Sequence, residues 1–127
     1  MVYKYTIPLP PVTKKNSHRI LVNRNTGMPF IAPSSAYKRY EEQAIYFLDP
    51  KPKNPLAGRC RVVTVFYMKT RRKCDVSNCL EAAHDLLVKG RILADDNYTI
   101  IESVDGSRVK YDKDNPRTEI TIEELEE

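Results

Sequence analysis

The run Arg61-Val-Val-Thr-Val-Phe-Tyr-Met68 is the strongest strand signal in this chain, long and built mostly from β-branched and aromatic residues. It leads through a cationic stretch, Lys69-Thr-Arg-Arg-Lys73, into a different periodicity. There Cys79, Leu80, Ala83, Leu86 and Leu87 recur at helical spacing, and Gly90 ends the pattern. The middle of the chain is thereby committed to a strand, a basic loop and a helix from about Ser77 to Lys89.

The remaining segments arrange themselves around that unit. Tyr3-Lys-Tyr-Thr-Ile7 alternates as a strand, and Pro8, Pro10 and Pro11 end it in an extended segment. His18–Val22 and Met28–Ala32 flank the turn-forming stretch Asn23–Gly27, which predicts a hairpin. Pro33, Ser34 and Ser35 supply helix-start chemistry, and Tyr37, Tyr40, Ala44, Phe47 and Leu48 continue a helical pattern from Ala36 to about Leu48. Residues Tyr98 to Lys110 are strand-like, interrupted near Asp105-Gly106, and Thr118-Glu-Ile-Thr-Ile122 alternates as a last strand. No internal repeat or linker divides the 127 residues, so one α+β domain over 1–127 is expected, with a mixed sheet and two main helices.

Charge narrows the class of partner. Residues 119–127 hold five glutamates and no Lys or Arg, so residues 1–118 set all 21 basic side chains against 12 acidic ones, a net of +9. A basic body with an acidic end suits a polyanionic partner. No apolar run is long enough to span a membrane, and the first residues lack a signal-peptide core, so a cytoplasmic location is expected. Cys60, Cys74 and Cys79 form no paired framework, and with only His18 and His84 to join them no zinc spacing results. A covalent nucleophile is not indicated, because Cys74 and Cys79 have no evident His partner and Ser77 lacks an activating motif.

The chemistry-bearing residues surround the central unit. Asp75 stands between the cationic stretch and the helix, and Asp95-Asp96-Asn97 follows one helix later. Acids brought together at one end of a helix suit phosphodiester hydrolysis. A hard cation held by carboxylates neutralises charge on the phosphate and lowers the pKa of a bound water. Lys and Arg beside it would hold the flanking phosphates. Each residue also has a plainer reading. Asp75 is equally a helix N-cap, the Asp95–Asn97 stretch equally ordinary turn chemistry, and Lys69–Lys73 equally a solvated loop.

Taken as an ordered set, these residues resemble a known family. Asp75-Val-Ser-Asn78, then Ala82-Ala83 and Asp85-Leu86, then Asp95-Asp96 resemble the signature of the RusA-type Holliday junction resolvases, in which Asp-x-Asp-Asn opens a helix carrying a Lys and Asp-Ala-Leu before an Asp-Asp turn. Ile7-Pro-Leu-Pro-Pro-Val-Thr-Lys-Lys-Asn-Ser17 is similar to the family's opening strand and loop, and Pro33-Ser-Ser-Ala-Tyr37 to the start of its first helix, particularly in phage and prophage members. The likeness covers nearly the whole chain. It implies a homodimer that cuts four-way DNA junctions with Mg²⁺, or Mn²⁺ in its place, leaving a 5′-phosphate and a 3′-hydroxyl. It implies Asp75 and Asp96 as metal ligands with Asp95 adjacent, and Asn78 as a residue orienting the site. Lys14, Lys15 and Asn16 become the loop that approaches DNA, and Arg71, Arg72 and Lys73 the basic approach to Asp75.

Two positions depart from the family pattern. Ser77 stands where the family has its second Asp, and Glu81 where it has a Lys. Ser77, Glu81 and Asp85 lie at i, i+4 and i+8, on one helical stripe, so Glu81 is a candidate to replace the missing carboxylate. Alternatively Glu81 is solvent-exposed and Asp85 pairs with Lys89. Three functional readings stay open: a junction endonuclease, a branched-DNA-binding protein of the same fold with weak or no cleavage, and an unrelated α+β interaction module.

Overall fold

A computed structural model of the protein describes residues 1–14, 18–33 and 35–126. In chain order the elements are β1 (Val2–Ile7), β2 (His18–Val22), β3 (Pro29–Pro33), α1 (Ser35–Ile45), β4 (Cys60–Met68), α2 (Val76–Lys89), β5 (Ile101–Ser103), β6 (Arg108–Tyr111) and β7 (Arg117–Glu124). The main sheet runs β1-β7-β4-β5, and β6 also pairs with β4. β7 is antiparallel to both β1 and β4, whereas β5 and β6 are parallel to β4, so the sheet is mixed. No described helix is long and apolar enough to cross a membrane.

Alternation along the strands decides which face the helices cover. Cys60, Val62, Thr64 and Phe66 of β4 are buried, as are Thr118, Ile120 and Ile122 of β7 and Tyr5 and Ile7 of β1. The register lines them up in rows across the sheet: Ile7 with Thr118 and Phe66, Tyr5 with Ile120 and Thr64, Tyr3 with Ile122 and Val62. Onto this face α2 lays Cys79, Ala82, Ala83, Leu86 and Leu87, and α1 adds Tyr37 and Ala44. The small Ala82 joins the apolar face that the spacing assigned, while Leu80 is only half-buried.

The edge strand is broken where Asp105 and Gly106 were expected to interrupt it. β5 and β6 pair with opposite ends of β4, and between them the Ser107 hydroxyl accepts the Thr64 amide at 3.0 Å and donates to the Val62 carbonyl at 3.4 Å. One side chain thus replaces a rung of backbone pairing. Gly106 makes the turn possible with φ +96. The hairpin forms as β2 and β3 in register, His18 opposite Pro33, around a turn in which the Asn23 side chain accepts the Asn25 amide and Gly27 adopts φ +71.

Both helix ends differ in detail from the sequence pattern. α1 stops at Ile45 rather than Leu48, because Tyr46, Phe47 and Leu48 donate to carbonyls three residues back. That tighter winding turns Leu48 fully into the core and leaves Tyr46 exposed. α2 ends on a pair of bonds, Ile92 amide to Leu87 carbonyl at 2.9 Å and Arg91 amide to Val88 carbonyl at 3.1 Å. The left-handed residue in this motif is Arg91, with φ 64, and not Gly90, whose φ is −76. Gly90 is required for space instead, since a Cβ there would sit 2.5 Å from Leu48 Cδ1 and 3.1 Å from the Leu86 carbonyl oxygen.

Candidate active site

After β1, residues Pro11, Val12 and Thr13 line a narrow apolar recess together with Cys79, Ala82, Ala83 and Leu86 of α2 and Tyr40 of α1. This track delivers Lys14 to α2, where its Nζ meets Asp85 Oδ2 at 2.8 Å and lies 5.7 Å from the Tyr37 ring centroid. The hydrogen bond to Asp85 raises the lysine's pKa above its ordinary value, against an opposing desolvation, and the charges of Asp85, Glu41 and Glu81 add to it. Lys14 therefore sits in the field of both Glu81 and Asp85, as expected of residues sharing a stripe. The alternative pairing of Asp85 with Lys89 does not form. Asp85 takes Lys14, and Lys89 crosses to Glu41 of α1 at 2.9 Å. Glu41 also accepts the buried Tyr37 hydroxyl at 3.2 Å, and burial first, then this carboxylate, pushes the tyrosine's pKa upward.

Asp96 is placed by the chain that follows α2. Leu93 bridges to Leu56, and the Ala94 amide donates to the Leu56 carbonyl at 2.9 Å, which fixes where the Asp95-Asp96 turn begins. Asp95 spends its carboxylate within that turn, accepting the Asp96 amide at 2.7 Å and the Asn97 side chain at 3.2 Å. These bonds hold Asp95 below the usual carboxylate range. Asp96 is raised, by desolvation first, then by Asp95 and by the charge of Asp85. His84 feels the same group of acids: burial lowers its pKa, while Asp96 and Asp85 oppose the shift. The acid turn, Asp85 and His84 thus form one electrostatic neighbourhood.

Asp75 occupies the N-cap position of α2, yet its side chain makes no capping hydrogen bond. Its contact is with Asn78, whose side-chain amide lies 3.5 Å from Asp75 Oδ2. The plainer cap reading accounts for the backbone there but not for the carboxylate. Among the described residues no Lys or Arg forms an ion pair with Asp75 or Asp96. Nor do any three described His, Cys, Asp or Glu side chains stand close enough together to hold a metal ion. Among the described residues Asp75 contacts Asn78, while Asp96 lies with Asp95 and Asp85. Carboxylate oxygens such as these suit a hard cation that keeps most of its waters, rather than a closed cage.

The cationic residues Arg71, Arg72 and Lys73 are exposed. Arg72 and Lys73 line an open hollow with Pro11, Val12, Thr13, Met68, Thr70 and Cys74. Adjacent residues of one segment therefore reach both features: Thr13 the cationic hollow, Lys14 the acidic stripe. Lys15 and Asn16, expected in the DNA-approaching loop, lie outside the described residues, as does Ser34 of the helix start. Sequence reasoning did not find the Lys14–Asp85 bond, because it joins residues far apart in the chain. The Tyr37–Glu41 link behind it joins residues one helical turn apart, a spacing the sequence does carry. Cys74 and Cys79 also meet, sulfur to sulfur at 3.6 Å, and all three cysteines are free thiols.

A comparison with curated proteins finds no match to this chain. The family described as Endodeoxyribonuclease RusA matches residues 8–123, a span that begins just after β1 and takes in both helices, the cationic loop and the acid turn. With that span covering most of its 127 residues, the chain belongs to the RusA endodeoxyribonuclease family.

Proposed function

We propose that this protein is a Mg²⁺-dependent, structure-selective endodeoxyribonuclease that resolves four-way (Holliday) junctions in DNA recombination and repair, acting as a homodimer. The observation that carries this reading is the segment Thr13-Lys14, which touches the cationic hollow with one residue and the acidic stripe with the next. A backbone phosphate lying in the hollow is thereby brought beside carboxylates.

Asp75 and Asp96 would hold the ion, Mg²⁺ or Mn²⁺, with Asp95 adjacent and already bound within its own turn. When bound, the ion supplies a hard Lewis-acid charge that neutralises the attacked phosphate. Asn78 orients Asp75 through the side-chain contact already described. Lys14, Lys15, Asn16, Arg71, Arg72 and Lys73 bind flanking phosphates, and Lys14 also offsets the like charges of Glu81 and Asp85. Glu81 takes over the role of the carboxylate missing at Ser77. A dimer suits the task because a junction has two-fold symmetry and needs two matched cuts.

Incubation with a synthetic four-way junction, with and without Mg²⁺, tests the proposal. Paired nicks that require the metal are expected, and Asp75→Asn or Asp96→Asn should lower the rate at least about 100-fold. Glu81→Ala should reduce both rate and metal affinity, and unchanged values would remove Glu81 from the site. Ser77 favours one second reading, a junction-binding protein with little or no cleavage. A mobility shift with no product at any divalent metal would establish it.

A further inference from the structure

The parallel register of β4 and β6 sets Met68 opposite Tyr111, and the Asp112 amide donates to the Met68 carbonyl at 2.9 Å. The end of β6 is thus pinned where the cationic loop leaves β4. Three residues beyond Met68, the loop folds Arg71 over the Tyr111 ring, with the guanidinium carbon 4.1 Å from its centroid. Stacking on an aromatic face fixes the plane of a guanidinium without using its in-plane N–H donors.

Arg117 and Arg59 show the contrast. Arg117 stacks on Tyr67 at 3.7 Å, but its donors go to Asp112 at 3.1 Å and Glu119 at 2.9 Å. Arg59 is taken by Glu102 at 2.8 Å. Those two are neutralised in place. Arg71 is held by its ring alone among the described residues, with no carboxylate on its fork. It lines an open hollow with Arg72, Lys73, Lys110 and Tyr111. The loop from Thr70 to Cys74 borders this hollow on one flank and the hollow of Pro11–Thr13 on the other.

We infer that Arg71 and Tyr111 form a pre-set phosphate clamp for a second DNA strand, on the flank of the cationic loop away from Pro11–Thr13. Arg71 contacts the phosphate, and Tyr111 is the positioning residue that holds the guanidinium plane ready for bidentate binding. The clamp rests on the junction-cleaving proposal and adds to it a residue that the cationic run alone did not reveal. It gives the loop two working faces, one beside the acids and one gripping a neighbouring strand of the branched substrate.

The test uses the full chain and a labelled four-way junction, with affinity measured as a function of salt in metal-free buffer and cutting measured with Mg²⁺. Arg71→Ala should weaken binding about tenfold and reduce the slope of log K against log salt by about 0.9, the value of one phosphate. Tyr111→Phe should match the wild type, because the ring face is kept. Tyr111→Leu should lose part of the same affinity, and should cost nothing further in the Arg71→Ala background. An unchanged salt slope in Arg71→Ala overturns the clamp. So does a Tyr111→Leu loss of equal size with and without Arg71, which would mean that the ring acts on its own. If the wild type neither binds nor cuts junctions, the functional reading falls as well. If it does both while these variants behave like it, the clamp alone falls.

Discussion

Lys14 ties the loop after β1 to the acidic stripe through Asp85. Glu81 and Asp85 are like charges at i, i+4, and the lysine bridges their repulsion from another part of the chain. Lys14 and Asp85 are mostly covered, their side chains being 28% and 25% exposed. Lys14→Met should therefore cost about 1 kcal/mol in urea unfolding. His84 predicts a pH effect whose sign follows from burial. Its folded pKa lies below the ordinary 6.5, so the unfolded chain takes up protons first as the pH falls. Stability should be full above about pH 6.5 and decline below it, and His84→Gln should flatten this part of a melting-temperature curve against pH. The thiols differ in the same physical way. Burial pushes Cys79 up to about 12 and also raises Cys60, and both are almost fully covered. An alkylating reagent at neutral pH should label the half-buried Cys74 and reach the other two only after denaturation.

At the scale of elements, the C-terminus of α2 positions the acid turn, and two substitutions there should act in opposite directions. Gly90→Ala puts a methyl against Leu48, which is itself fully packed, and should destabilise by about 1–3 kcal/mol. Arg91→Gly relieves a left-handed backbone that L-residues resist, and should stabilise by up to about 1 kcal/mol in thermal unfolding. Because the Leu93 bridge and Asp96 follow directly, Gly90→Ala should also slow cutting, whereas Arg91→Gly should leave it intact. The helix itself was legible from the spacing of its apolar residues. Its ending was legible only as a position: a glycine marks it, but the reason that glycine is needed is Leu48, more than forty residues away, and no local pattern carries that.

On the whole-molecule scale, charge and exposed apolar surface predict assembly and substrate. The net charge of +9 over residues 1–118 should make junction binding weaken steeply with salt. The β2–β3 hairpin forms a sheet of its own, and Ile20, Val22, Met28 and Phe30 on it are exposed. A lone two-stranded hairpin is marginal in water, so we expect it to be covered in the proposed dimer. Sedimentation should find a dimer, and Ile20→Asp with Phe30→Asp should shift it to monomer. A wild-type monomer at all concentrations would discard the dimer. The pairing of β4 with both β5 and β6 was not readable from the chain, since an interrupted edge strand and a hairpin give the same alternation.

Local chemistry was enough to determine the α+β class, the strand–loop–helix unit and the residues worth watching, because periodicity and turn chemistry act over a few neighbours in the chain. Partnership was decided by tertiary structure. The long-range approach of β1's trailing loop to α2 gives Asp85 a lysine from position 14, and the parallel register of β6 against β4 gives Arg71 an aromatic seat. Electrostatic and stacking interactions depend on distance in space, which sequence separation does not record.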